Sequence, residues 1–248
     1  MDELVRLEIT GAIARISLSS PANRNALSSA LVTRLREHLE TVDVADSVRA
    51  VVLAADGPAF CSGADMKEAA AGGMEDGARA LVALQRQIVA LSKPVVTRVH
   101  GPVRAGGLGI VGASDVVVSA DSVTFAFTEV LLGLAPAVIS LTTLPRLTSR
   151  GAAWAYLSGS TFSAGQAQDI GLVTSAVPVE RLDAEVDAVA HAWAGASAQG
   201  LRETKRLLNV ELVHHIDDQG ERLARQSAEL FASPEAVAAM QSFLARRR

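Results

Sequence analysis

Three segments of this chain combine residue types that could steady a developing negative charge and move a proton. The first, residues 60–67 (Phe-Cys-Ser-Gly-Ala-Asp-Met-Lys), is a short loop between an apolar run and a helix start. Backbone N–H groups at such a turn lack an intrahelical acceptor, and the small Gly63 and Ala64 let a ligand approach the main chain closely. The second, residues 100–109 (His-Gly-Pro-Val-Arg-Ala-Gly-Gly-Leu-Gly), repeats the arrangement, so Gly106 or Gly107 could present a second outward amide. Two such amides make an oxyanion hole, where one donor is typically worth about 3–4 kcal/mol to a transition state. The third, residues 128–136, sets one carboxylate, Glu129, among apolar neighbours. In a pocket, desolvation would raise its pKa and suit it to proton transfer near neutrality. Taken singly, each segment also has a plainer reading: a strand-to-helix loop, a glycine turn that permits close helix packing, a solvated or ion-paired glutamate. The glycine turn does not fit the phosphate-binding G-x-x-x-x-G-K-[ST] pattern.

The remaining pattern predicts what must hold these segments. Residues 5–9 and 12–18 alternate apolar and polar around Thr10-Gly11, a hairpin signal. Ser28 or Ser29 caps a helix carrying Leu31, Leu35, Leu39 and Val42 at helical spacing. Runs at 49–55, 95–99, 115–120 and 124–127 predict strands, the first two of them buried, so each chemical segment follows a strand. Residues 78–91 predict a helix that Lys93-Pro94 stops. The Gly- and Ala-rich stretch before it, 69–77, predicts a mobile loop or a frayed helix, and with 138–144 an acyl-pocket lining. Further helices are predicted at 108–113, 138–144 and 152–157, and from Ser163 to the end with breaks near 171–178, 195–200 and 233–234. Strands and helices alternate and helices finish the chain, an α/β class with a helical C-terminal region. The division is a core over 1–190 and a helical part over 191–248.

Composition narrows the function. With 23 basic against 27 acidic residues the formal charge is −4, without the basic excess of a nucleic-acid surface. The lone Cys61 can form neither an internal disulfide nor a metal site by itself, and with no assigned base it reads as a small packed residue. His38, His100, His191, His214 and His215 show no ligand spacing, so no metal and no separate cofactor are expected. Arg104 reads equally as a partner for a substrate carboxylate or as a packed surface cation. Met1-Asp2-Glu3 does not begin a secretory signal, and no apolar run approaches the roughly 18–20 residues of a membrane span, so a cytoplasmic protein is expected. A mean hydropathy of +0.27 is high and predicts apolar surface hidden between subunits.

The three segments, in this order, resemble the enoyl-CoA hydratase/isomerase (crotonase) family. Arg24-Asn25-Ala26-Leu27-Ser28 is similar to its early R-N-A-L-S segment, and Lys93-Pro94-Val95-Val96 to its K-P-V-I stretch. Residues 161–173 are similar to its later segment ending in G-L-V, and Ser233 to Ala236 with Phe243-Leu244 to its last helix. The resemblance implies a spiral of β-β-α turns with a helical trimerisation region, and trimers or hexamers. It implies an acyl-CoA substrate, with oxyanion amides at Ala64 and Gly106 and proton transfer by Glu129. It further implies a CoA path over Arg24, Ala26, Ser62, Asp65, Met66, Lys67, Gly107, Pro136 and Ala137, with Lys67 on the phosphates. Phe243 from a neighbouring subunit's tail is implied at the adenine end.

The chain departs from the family where hydratases carry another carboxylate, four positions after the first glycine of their G-G-G-C-E stretch: here that position is Gly109. Phe127 stands where members often have a polar residue shortly before the second glutamate. Three readings remain: a hydratase in which Glu129 handles water alone, as in the branch acting on branched or glutaconyl-type thioesters; a 3-enoyl to 2-enoyl isomerase; and a non-catalytic acyl-CoA binder. On the first reading, Gly109→Glu should raise hydration provided the pocket admits the side chain.

Overall fold

The computed structural model describes residues 3–70 and 74–245, with the backbone alone at 69–70 and 243–245. The hairpin forms as the alternation predicts: β1 (Val5–Thr10) pairs antiparallel with β2 (Ile13–Leu18), and Gly11 takes φ +58°. α1 (Ser29–Val44) begins where the Ser28 hydroxyl accepts from the Leu31 N–H, and Leu31, Leu35, Leu39 and Val42 are buried along one stripe. β3 (Ala50–Ala55) is buried at every position, as suits a parallel strand covered on both faces.

The chain then visits two sheets in turn. After β3, Cys61 bridges to Val103, and α2 (Met66–Ala70) and α3 (Met74–Ala90) follow. After β4 (Val95–Val99) come β5 (Val103–Arg104) and α4 (Gly106–Ala113). After β6 (Val116–Ala120) come β7 (Thr124–Ala126), a 3-10 turn at Glu129–Leu132 and α5 (Ala137–Thr143). These repeated β-β-α turns form the spiral that the family resemblance implied. α6 (Ser149–Ser158), β8 (Phe162–Ser163), α7 (Ala164–Asp169), β9 (Ser175–Val177) and α8 (Leu182–Ala194) complete it. The larger sheet has the order β1-β2-β3-β4-β6-β9 and the smaller β5-β7-β8. α9 (Ala198–Phe231) and α10 (Pro234–Ala245) form the helical C-terminal region.

The structure adds three details to the expected pattern. β8 ends at Ser163 and β9 lies within the expected break at 171–178; these strands of two and three residues are too short for any periodicity to show and form by pairing with β7 and β6. The stretch 69–77, expected as a mobile loop or a frayed helix, is helical where described. α3 starts at Met74 with Glu75 and Asp76 in its first turn, favourable at the positive end of the helix dipole; 71–73 lie outside the described residues. The division at 190/191 falls within α8, which packs on β3, β4 and β6, so the helical part that stands apart from the sheet begins at α9.

α9 is bound to the core by a buried polar network. Lys205 Nζ donates to the Ile88 and Lys93 carbonyls, both at 3.0 Å, and to Asp115 at 2.8 Å, while Asn209 donates to Asp115 at 3.0 Å. No helix among the described residues is long and apolar enough to cross a membrane.

Candidate active site

The bends that follow β3 and β4 pack directly on one another. Gly63 has φ +97°, and a Cβ there would fall 2.9 Å from Ala105 Cβ and 3.3 Å from the Arg104 carbonyl oxygen. Main-chain bonds clamp the pair: Arg104 N–H donates to Cys61 O at 3.0 Å, Leu27 N–H to Gly63 O at 2.8 Å and Ser62 N–H to Arg24 O at 3.1 Å. Asn25 secures the third member of this clamp. It is buried at φ 54°, a conformation asparagine tolerates, and its amide donates to the Asp56 and Ala59 carbonyls.

Ala105 has φ 45° and ψ −120°, outside the regions an L-residue favours, a strain of order 1–3 kcal/mol. It turns the chain sharply into α4, so Gly106 begins the helix with its N–H among the donors that no turn of helix satisfies. Among the described residues, neither the Ala64 nor the Gly106 N–H has an acceptor.

Ala64, Gly106 and Glu129 lie on the wall of one cavity of about 890 Å³, together with Leu27, Leu81, Leu132, Val138 and Ile139. Glu129 is 9% exposed, and its Oε2 is buried without a hydrogen-bond partner. Burial pushes its carboxyl up to about 7, against a weaker opposing bond from its own backbone. Beside it, the Phe127 ring packs tilted by 34° against Tyr156 with centroids 4.3 Å apart, and the tyrosine hydroxyl bonds Thr143. Burial holds that phenol above its ordinary range.

The face of α4 at Gly109 is filled. A Cβ there would meet Gln85 Oε1 at 2.9 Å and Ile139 Cγ2 at 3.1 Å. The condition attached to Gly109→Glu is therefore not met, because the fully buried Gln85 occupies the space. Cys61 is buried and its thiol is pushed up to about 12 by desolvation, so a thiolate nucleophile is not available there.

The other sequence-derived residues divide by position. Ser62, Asp65, Met66, Pro136 and Ala137 line the cavity. Asp65 also caps α2, accepting from the Lys67 and Glu68 N–H groups at 2.8 and 3.3 Å. Arg24 and Lys67 are exposed and Ala26 is buried, all three off the lining. Gly107 faces Cys61 instead, whose Cβ is 2.7 Å from where its own would be. Arg104 lines the cavity, but its guanidinium donates to the Thr124 and Val103 carbonyls and to the Thr124 hydroxyl. The Phe243 side chain lies outside the described residues. Its helix, α10, rests on its own chain's 3-10 turn, with Ala236 N 3.3 Å from where a Gly133 Cβ would be. Ala239 and Ser242 of α10 line the same chain's cavity. Ser227 and Phe231 of α9 also line it; nothing local marks them, since they come from a helix about a hundred residues beyond Glu129. No group of three His, Cys, Asp or Glu side chains suited to a metal occurs among the described residues.

Two unpartnered amides and a near-neutral carboxyl on one apolar wall can stabilise an oxyanion and move a proton beside it. Known proteins resemble this chain in sequence and fold. The sequence profile of the enoyl-CoA hydratase/isomerase family matches residues 8–248. The crystal structure of an enoyl-CoA hydratase from Mycobacterium avium superposes with a TM-score of 0.93 at 43% identity, covering 99% of this chain and 98% of that one. The crystal structure of enoyl-CoA hydratase from Mycobacterium smegmatis gives 0.81 at 27% identity, covering 100% and 98%. The mitochondrial enoyl-CoA hydratase domain-containing protein 3 of Danio rerio is 32% identical over 216 residues, 84% of this chain and 74% of its own length.

Proposed function

The chain belongs to the enoyl-CoA hydratase/isomerase family, and from that premise we propose that it adds water to the double bond of a 2-enoyl-CoA thioester through an enolate. The observation that carries this reading is the Glu129 carboxyl, its Oε2 buried without a hydrogen-bond partner, sharing a cavity wall with the unpartnered Ala64 and Gly106 amides. The thioester oxygen sits at the two amides. Ionised Glu129 takes a proton from water as the water oxygen bonds to Cβ, and the double-bond electrons move to the thioester oxygen. The enolate collapses as Cα takes the proton back from Glu129. The amides bind the enolate more strongly than the neutral carbonyl, and that difference lowers the barrier. A carboxyl near 7 is poised both to accept and to return the proton.

The exposed cations Arg24 and Lys67, on segments clamped beside Ala64, suit the CoA phosphates, and the apolar wall suits the acyl chain, branched or glutaconyl-type. The exposed Leu207 and Leu208 of α9 suit burial in a trimer or hexamer.

One observation favours a second reading. Gln85 and Ile139 fill the side of α4 where a second carboxylate would hold water, and a single glutamate suffices to carry a proton between two carbons, as in 3-enoyl to 2-enoyl isomerisation. Following 2-enoyl absorbance separates the two. Loss of signal with wild type and not with Glu129→Gln supports hydration, and gain of signal from a 3-enoyl-CoA supports isomerisation. Tight thioester binding with neither change overturns both.

A further inference from the structure

Gln85 is a fully buried polar side chain on α3, one turn beyond Leu81. Its amide NH₂ donates to the Leu81 carbonyl at 3.2 Å and to the Val138 carbonyl of α5 at 3.3 Å. Its Oε1 accepts from the Thr142 hydroxyl at 2.6 Å, and that hydroxyl also lies 3.0 Å from the Gly109 carbonyl of α4. One side-chain pair thus links three helices, each with a residue on the cavity wall: Leu81, Gly106 and Val138.

The contacts run along one line. Leu81 backs Gly106, where a Cβ would meet Leu81 Cδ2 at 3.3 Å, and Gln85 backs Gly109, where a Cβ would meet Oε1 at 2.9 Å. Residues four apart on α3 therefore meet residues three apart on α4, spacings that keep each pair on one helix face. A buried amide is tolerated only where its donors and acceptor are paired, so the three helices must keep their mutual register for Gln85 to remain satisfied.

We propose that Gln85 and Thr142 are positioning residues that fix α4 against α3 and α5 and thereby set where Gly106 presents its N–H. The proposal rests on the reading of Gly106 as a donor to an enolate oxygen. The same packing fills the space that a carboxylate at position 109 would need on this side of Glu129.

Acetoacetyl-CoA provides a test, because its enolate absorbs in the near ultraviolet and binding at the amide pair stabilises that form. Wild type should enhance the enolate signal. Gln85→Met and Thr142→Val should each weaken enolate binding and lower kcat by about tenfold, with KM within threefold of wild type, as a small misplacement near the reacting atom would. The double variant should lose no more than either single one, since both act through one link. Wild-type enolate binding and kcat in both variants, with only Tm lowered, would overturn the proposal. If Gln85→Met does not fold, Gln85→Glu decides the matter. Its enolate signal relative to wild type should be retained at low pH, where the buried carboxyl is protonated and can still donate, and lost as that group ionises. A pH-independent ratio overturns the proposal. Absence of any enolate signal with wild type removes the reading of Gly106 and this proposal together, whereas a wild-type signal that the variants share removes this proposal alone.

Discussion

The two sides of the cavity are built from different materials. On the amide side the chemistry is main chain, placed by the left-handed Gly63, the strained Ala105 and three mutually clamped segments. On the proton side it is one side chain, Glu129, whose Oε2 is buried without a hydrogen bond. A carboxylate can be deleted by one substitution that leaves the shape intact. A backbone amide can be disturbed only by altering shape, so its variants should lose stability together with activity.

The largest effect is expected on the proton side. Glu129→Gln should lower kcat/KM by about 10²–10⁴-fold, the usual worth of a general acid–base group. It should also stabilise the fold in a pH-dependent way. Because burial raises the Glu129 carboxyl to about 7, the folded chain holds that proton more tightly than the unfolded chain. Stability is then lost as pH rises from the ordinary carboxylate range through about 7, by up to about 3 kcal/mol. Urea unfolding should show Glu129→Gln more stable than wild type at about pH 8 and the two alike at about pH 4. The reverse order would mean that the carboxylate is paired in solution. The wild-type kcat/KM should fall with pH below about 7, as the ionised base is lost.

On the amide side the expected losses are coupled. Gly63→Ala forces a side chain into φ +97° and within 2.9 Å of Ala105 Cβ, and should reduce kcat by about 10²-fold. It should also cost about 1–3 kcal/mol of stability, read by urea unfolding. Full activity would show that the two bends can separate without harm. Ala105→Gly works in the opposite direction: relief at φ 45° should raise stability by up to about 1 kcal/mol, with activity within about twofold. The smallest effect is expected at Cys61, where the buried thiol should resist alkylation and Cys61→Ala should leave turnover unchanged. Inactivation by a thiol reagent in step with Cys61 labelling would place chemistry there after all.

How far the site could be read in advance follows the same division. Glu129 was conspicuous because a charge amid apolar residues is costly, and the amides were legible because glycines mark bends after buried strands. The hairpin, α1 and the buried parallel strands follow local periodicity and were legible too. Gln85 was not, since a glutamine on a helix is ordinarily solvated and only the approach of α4 and α5 encloses it. Likewise β9 exists through its pairing with β6, and Ser227 and Phe231 reach the cavity only through the path of α9. Short-range pattern carries what a segment does by itself; what it meets depends on topology.

The account turns on Glu129 carrying a proton at Cα of a thioester held by the two amides. Turning over a 2-enoyl-CoA in D₂O and recording deuterium at Cα of the hydrated product by mass spectrometry tests this directly. The account predicts incorporation with wild type that is slowed at least about a hundredfold in Glu129→Gln. Equal incorporation by the two proteins, or none with wild type, would contradict it.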